Sequence, residues 1–383
     1  MNNCAKSPPN ENLQNIVGKP FYQHFSNNMT TISSSTQQSL NLYEALFNDV
    51  NQGTLNRQAY PGSMQLVDDY DKISSAYESD IFFAKYGVGN ATSIVHNPFE
   101  RQRAYELLLK ILKSIDPVKY QKIHKGTPFY FIGWTTYQYR DLSKAIFYMD
   151  AAVSEDLKFP DVQSKASTRP ALDFFLLSSE PGPTGLSTHL ELRNIIDITL
   201  QTYNTNGGGT ISIDDFRNRF VVDLLYSGPK ERSLLTALYT FLLEYQEKEN
   251  QISLRSDTGG SIQPFLDHLF DGARVLESLL EKRGGTGNTL NPKIVNASAI
   301  AVNRTALKSN NTLADAELEF NNQVAAGSSF QDSNFASAYI IRNTTGHSLL
   351  WPDQFANVSS YTTLYNNLVN SIFWTIEKLW LKE

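Results

Sequence analysis

Three polar residues near the carboxyl end of the chain have the types and spacing best suited to chemistry: Arg342, Asn343 and His347. Histidine can accept or donate a proton near neutral pH, and a guanidinium is a fixed cation that fits phosphate oxygens. Attack by a ribose 2′-OH on the adjacent phosphate needs both functions, while an amide can orient the phosphate or the imidazole. These side chains predict metal-free cleavage of RNA. DNA cannot be cleaved by this mechanism because it lacks the 2′-OH.

The spacing requires a break in the element that carries these residues. An apolar helix end precedes Arg342, and five residues along an unbroken helix rotate a side chain by about 140°. Arg342 and His347 would then point apart. Gly346 permits a bend, so we expect a turn at residues 345–346 that brings the two side chains together.

The pattern is uncommon for a chain of this composition. An arginine followed by a histidine at any of three spacings arises by chance in roughly half of such chains. Requiring asparagine directly after the arginine at this spacing lowers the chance to roughly one or two in a hundred. The alternative role is structural, with Arg342 paired to an acid such as Asp353 and His347 capping a helix end.

The element Arg342-Asn343-x-x-x-His347 resembles the R-x4-6-H signature of HEPN ribonucleases. Members of that superfamily are α-helical bundles found in toxins, CRISPR accessory effectors and abortive-infection proteins. The resemblance implies that the arginine and histidine are catalytic, that Asn343 is the polar residue that commonly follows the arginine, and that the active site forms where two protomers pair. It covers about residues 225–383 and implies a homodimer with a toxin or antiviral defence role.

Apolar residues at helical spacing predict the elements that position this motif. One helix is expected over residues 265–281, and a long terminal helix over residues 361–381 carries Leu364, Leu368 and Ile372 on one face. Both helices would belong to the bundle that the resemblance implies.

An earlier stretch, residues 128–157, predicts two short helices joined by a turn at residues 139–141. Gly133 lies in the first helix and Ala145 and Ala152 in the second, and this spacing resembles one tetratricopeptide repeat helix pair. A single repeat cannot bury its face alone, so more helices must flank it. The resemblance implies a module that binds a protein partner or regulator. An ordinary helical hairpin is the alternative.

Two glycine-rich segments resemble a calcium-binding loop and a phosphate-binding loop, but each lacks residues that such a loop requires. Residues 204–215 carry a glycine at the sixth position of a calcium loop, yet Asp215 is the one anionic candidate ligand. Residues 282–289 resemble a phosphate loop, but no strand precedes them and no Gly-Lys-Ser/Thr triplet follows. We interpret both as loops or turns after helices. The six histidines form no close pair that could hold zinc, and no cofactor or metal is predicted.

Composition limits the class of protein. The chain has 383 residues, of which 41% are hydrophobic, enough to bury one or two cores. Its net charge of -6 excludes a broad basic surface for duplex nucleic acid. Cys4 stands alone, so it can form neither an intramolecular disulfide nor a thiolate metal cage. Without a secretory or membrane-spanning pattern, the sequence predicts a cytoplasmic protein that does not enter a membrane.

These patterns predict an all-α protein and a metal-independent endoribonuclease for single-stranded RNA. In that role His347 is the general acid or base, Arg342 stabilises the phosphorane and Asn343 positions the scissile phosphate. The alternative functions are a non-catalytic helical-repeat scaffold or an RNA- or nucleotide-binding protein. The expected organisation is a poorly ordered segment at 1–35, a helical tetratricopeptide-like module at 36–160, a linker and helical connection at 161–224, and a HEPN-like helical bundle at 225–383.

Overall fold

The computed structural model describes six stretches of the chain, residues 117–159, 169–180, 188–254, 261–297, 313–345 and 358–382. It also describes five single positions, Gln102, Glu106, Leu109, Lys110 and Lys113. Of the described residues, 83% are helical and none lies in a strand, so the predicted all-α fold is confirmed. The segment predicted at 1–35 lies outside the described residues. No helix in the described stretches is both long and apolar enough to cross a lipid bilayer.

The chain divides into two compact units, and the first of them ends at Tyr139. Its described helices are α1 (Pro117–Tyr120) and α2 (Gly126–Gln138). Residues 131–137 of α2 are buried, including the hydroxyls of Thr135 and Thr136, which donate to backbone carbonyls of the preceding turn. These hydrogen bonds offset the free-energy cost of burying the two hydroxyl groups.

The second unit begins at Arg140 and carries the helices that surround the predicted motif. Its described helices are α3 (Leu142–Lys158), α4 (Pro170–Phe175), α5 (Thr188–Gly207), α6 (Ile213–Asp215), α7 (Val222–Tyr226), α8 (Pro229–Leu254), α9 (Gln263–Lys282), α10 (Leu290–Asn296), α11 (Leu313–Ala325), α12 (Phe330–Thr345) and α13 (Val358–Ile376). Two π-helical segments accompany them, Phe216–Val221 between α6 and α7 and Glu377–Leu381 after α13. The helices predicted over 265–281 and 361–381 are thereby confirmed.

The turn predicted at residues 139–141 is also present, between α2 and α3. Arg140 has a φ of 66°, which is unfavourable for a residue with a side chain. Its guanidinium bonds Glu191 on α5 at 2.8 Å and Glu247 on α8 at 2.7 Å, and these ion pairs hold the turn in place. Asp141 then caps α3 by accepting the backbone N–H of Lys144. The tetratricopeptide-like assignment stays a prediction.

Helix α9 lies at the centre of the second unit and packs on α8, α12 and α13. Two buried side-chain pairs set the register of α12 against α13. The amide of Asn370 donates to Asn334 at 3.2 Å, and the amide of Asn367 donates to Ser337 at 3.0 Å. Because an unpaired buried amide is costly, a shift of one helix along the other is disfavoured. The register of α12 therefore determines where its last turn lies.

A buried aromatic cluster joins α8, α9 and α13 around His268. The Nε2–H of His268 donates to the carbonyl oxygen of Phe241 at 2.8 Å, and its Nδ1 accepts the hydroxyl of Tyr361 at 2.7 Å. Its ring stacks on Phe241, with centroids 4.7 Å apart. Gly272 lets α9 approach this ring, since a Cβ there would lie 2.4 Å from Phe241. Burial lowers the pKa of His268 to about 4, so the histidine is neutral and structural.

Because of His268, the free energy of unfolding should decrease as the pH is lowered. Its pKa is about 4 in the folded protein against an ordinary 6.5, so the unfolded chain takes up the proton first as pH falls. The contribution of neutral His268 to the free energy of unfolding is fully present above about pH 6.5 and is lost progressively as the pH falls towards 4. Between pH 7 and pH 5 the loss is about 2 kcal/mol.

The variant His268→Gln keeps a donor and an acceptor at this position but does not titrate. We expect urea unfolding at pH 7 and at pH 5 to show a smaller loss of unfolding free energy for this variant than for the wild type. An equal loss in both proteins would contradict the assignment.

Candidate functional site

Arg342 and Asn343 lie in the last turn of α12. The helix is buried over residues 333–341 and becomes partly exposed over residues 342–344. A buried helix thus ends with the predicted catalytic arginine and its neighbouring amide at the surface of the bundle. Gly346, His347 and Asp353 lie outside the described residues, so the predicted turn at 345–346 and the approach of the histidine to Arg342 stay predictions.

The guanidinium of Arg342 is held from two sides by α9. Its Nε donates to Oε2 of Glu277 at 2.7 Å, and its Cζ lies 4.9 Å from the ring centroid of Phe270. The side chain is 28% exposed. Among the described residues, Glu277 is the acceptor that bonds this guanidinium, and the bond uses Nε rather than the Nη groups. A cation fixed in this way needs little rearrangement before it stabilises a developing negative charge.

Glu277 is buried and is shared by two cations. Its Oε1 lies 2.5 Å from Nζ of Lys293 on α10, and Lys293 also pairs with Glu281. Burial alone raises the pKa of Glu277, but the hydrogen bonds and charges of Lys293 and Arg342 outweigh it and hold this pKa below its usual value. The carboxylate is therefore charged at neutral pH, and it orients Arg342 through a charge-assisted hydrogen bond.

The contacts of Arg342 with Glu277 and Phe270 were not predicted from the sequence, because they join residues that are far apart in the chain. Glu277 is 65 positions before Arg342. A weaker signal was present, since Glu277 lies between Ala273 and Leu280 at helical spacing on the apolar face of α9. An acid on such a face indicates a buried cationic partner, but it does not identify that partner.

An open groove of about 850 Å³ lies along α8 between α3 and α9, and Arg342 is not among its lining residues. Phe147 lines it with 64% of its surface exposed. Glu244 and Asp271 also line it, and partial loss of water around these side chains raises the pKa of both carboxyl groups. The groove is thus a concave surface that Arg342 does not line, although Arg274 of α9 is among its lining residues.

The two glycine-rich segments are both turns between helices. In the first, the Asn204 oxygen accepts the N–H of Ile211 at 3.0 Å and its amide donates to the Ile211 carbonyl at 2.8 Å. That oxygen is therefore engaged by the backbone rather than free for a cation. In the second, Gly284 has a φ of 92° and ends α9. No group of three or more potential metal ligands is found in the described stretches.

Comparison with known proteins gives no match for this chain. No family model matches it, and neither a curated protein nor a solved structure does so. The resemblance to HEPN ribonucleases thus stands on the motif in the sequence and stays a prediction.

Removing the charge of Glu277 should destabilise the bundle. Glu277→Gln leaves Lys293 buried with one exposed acid and leaves Arg342 without its anionic partner, which should lower the unfolding free energy by about 3 kcal/mol. Denaturant unfolding at pH 7 measures this loss. Glu231→Gln is the matched control, since Glu231 pairs with the surface residue Lys282 and a surface pair adds little stability. Equal losses in the two variants would contradict the role of Glu277.

Proposed function

We propose that the protein is a metal-independent endoribonuclease that cleaves single-stranded RNA. The observation that carries the proposal is the position of Arg342, a guanidinium held by Glu277 and Phe270 at the end of a buried helix, five residues before His347. An oriented cation thus lies five positions before His347 in the sequence, the residue that we propose as the proton-transfer group.

In the proposed reaction the ribose 2′-oxygen attacks the adjacent phosphorus, and the bond from phosphorus to the 5′-oxygen breaks. The 2′-OH loses its proton to a base and the leaving 5′-oxygen gains one from an acid, and His347 serves in one of these roles. Arg342 donates from its Nη groups to the non-bridging oxygens as negative charge develops. Asn343 positions the scissile phosphate. The products are a 2′,3′-cyclic phosphate and a 5′-hydroxyl.

The wider parts of the proposal come from the HEPN resemblance and from analogy. They are a homodimer whose protomers pair at the active site, with a second histidine available for the other proton transfer. They also include a toxin or antiviral defence role, and a regulator bound through the tetratricopeptide-like helices.

The direct test is cleavage of a labelled single-stranded RNA by the purified protein in EDTA. We expect His347→Ala to slow cleavage by about 10²- to 10⁴-fold and Arg342→Ala by about 10²- to 10³-fold. His124→Ala, which removes a half-buried histidine of the first unit, should leave the rate unchanged. RNA with a 2′-deoxyribose at the cleaved position should be resistant. Cleavage that is the same in His347→Ala and wild type would reject the assignment.

A protein-binding scaffold is the second candidate function, and the exposed Phe147 beside the groove favours it. Aromatic side chains exposed at the edge of a concave surface commonly anchor a bound partner. The RNA assay separates the two candidates, because a scaffold without catalysis leaves the RNA intact in wild type and in every variant.

A further inference from the structure

Phe270 of α9 has a second cation beside it in addition to Arg342. Arg274 lies one turn further along the same helix, and its Cζ is 5.8 Å from the centroid of the Phe270 ring. The Cζ of Arg342 is 4.9 Å from that centroid. Both guanidinium groups therefore lie within the roughly 6 Å over which an aromatic ring attracts a cation. Phe270 thus contacts two arginines from different helices.

The two arginines differ in how firmly they are held. Arg342 is 28% exposed and bonded to a buried acid, whereas Arg274 is 63% exposed. Arg274 pairs with Asp271 at 3.6 Å, and the Asp271 side chain is itself 58% exposed. Such a surface pair contributes little stability. The Arg274 guanidinium can therefore turn to another anion with little loss.

This pair of cations suits a single nucleic acid strand better than a duplex. Glu277 and Asp271 offset much of the local positive charge, and the chain has a net charge of -6. Duplex binding depends on neutralising many phosphates. A single strand can be held by a few guanidinium contacts that follow its backbone.

We propose that Arg274 is a second phosphate contact for single-stranded RNA, binding the phosphate next to the one at Arg342, and that Phe270 is a positioning residue for both guanidinium groups. That the RNA phosphate bound by Arg342 is the scissile one rests on the proposed ribonuclease function. The RNA-binding role of Arg274 can be measured without catalysis.

The experiment measures equilibrium binding of a fluorescent single-stranded RNA to His347→Ala protein at several salt concentrations. Adding Arg274→Ala should weaken binding about tenfold and reduce the slope of log affinity against log salt by about 0.7, the value for one phosphate contact on a single strand. Asp271→Asn, which releases Arg274, should strengthen binding. Arg217→Ala is the matched control, because Arg217 contacts its neighbour Asn218 and carries the same charge.

Equal affinities for the Arg274→Ala and Arg217→Ala proteins would overturn the inference, and so would the absence of RNA binding. Equal weakening of binding to an acidic peptide such as polyglutamate would overturn the assignment to RNA. In the cleavage assay, Arg274→Ala should raise KM with little change in kcat. RNA binding that depends on Arg274 in a protein that does not cleave RNA would support this inference and reject the ribonuclease function.

Discussion

Glu277 places a negative charge where three helices of the second unit meet. Its carboxylate binds Lys293 from α10 and Arg342 from α12 while lying on the apolar face of α9. A buried carboxylate is tolerated only when cations and hydrogen bonds compensate the loss of water. The packing of these helices and the orientation of the predicted catalytic arginine therefore depend on the same ion network.

The rest of the unit keeps that network in register. The amide and hydroxyl pairs between α12 and α13 oppose sliding of α12, and the cluster around His268 joins α9 to α8 and α13. Polar groups buried in this way must meet their partners at hydrogen-bond distance, whereas apolar contacts tolerate small shifts. Polar pairing thus gives the Arg342 side chain a defined position at the surface.

Helical periodicity predicted α9 and α13 correctly, because a helix that buries one face must repeat its apolar residues every three or four positions. The turn predicted at residues 139–141 and the loop predicted after α9 were also found; Asp141 caps the helix after the first, and Gly284 begins the second. The partners of individual side chains were not predictable in this way. Glu277, Phe270 and Arg274 lie on a helix whose type was expected, but their contacts with Arg342 depend on how α12 packs against α9.

The sequence by itself determined the all-α class, the helices α9 and α13 and the helix end before Arg342, and the residue types and spacing of Arg342, Asn343 and His347. These properties follow from local spacing and from the chemistry of single side chains. Only the tertiary structure decided that Arg342 is held by Glu277 and Phe270, that Arg274 lies beside the same ring, and that Arg274 lines the open groove while Arg342 does not. The physical reason is that ion pairs and ring contacts act over a few ångströms between residues many positions apart, and the packing of helices sets those distances.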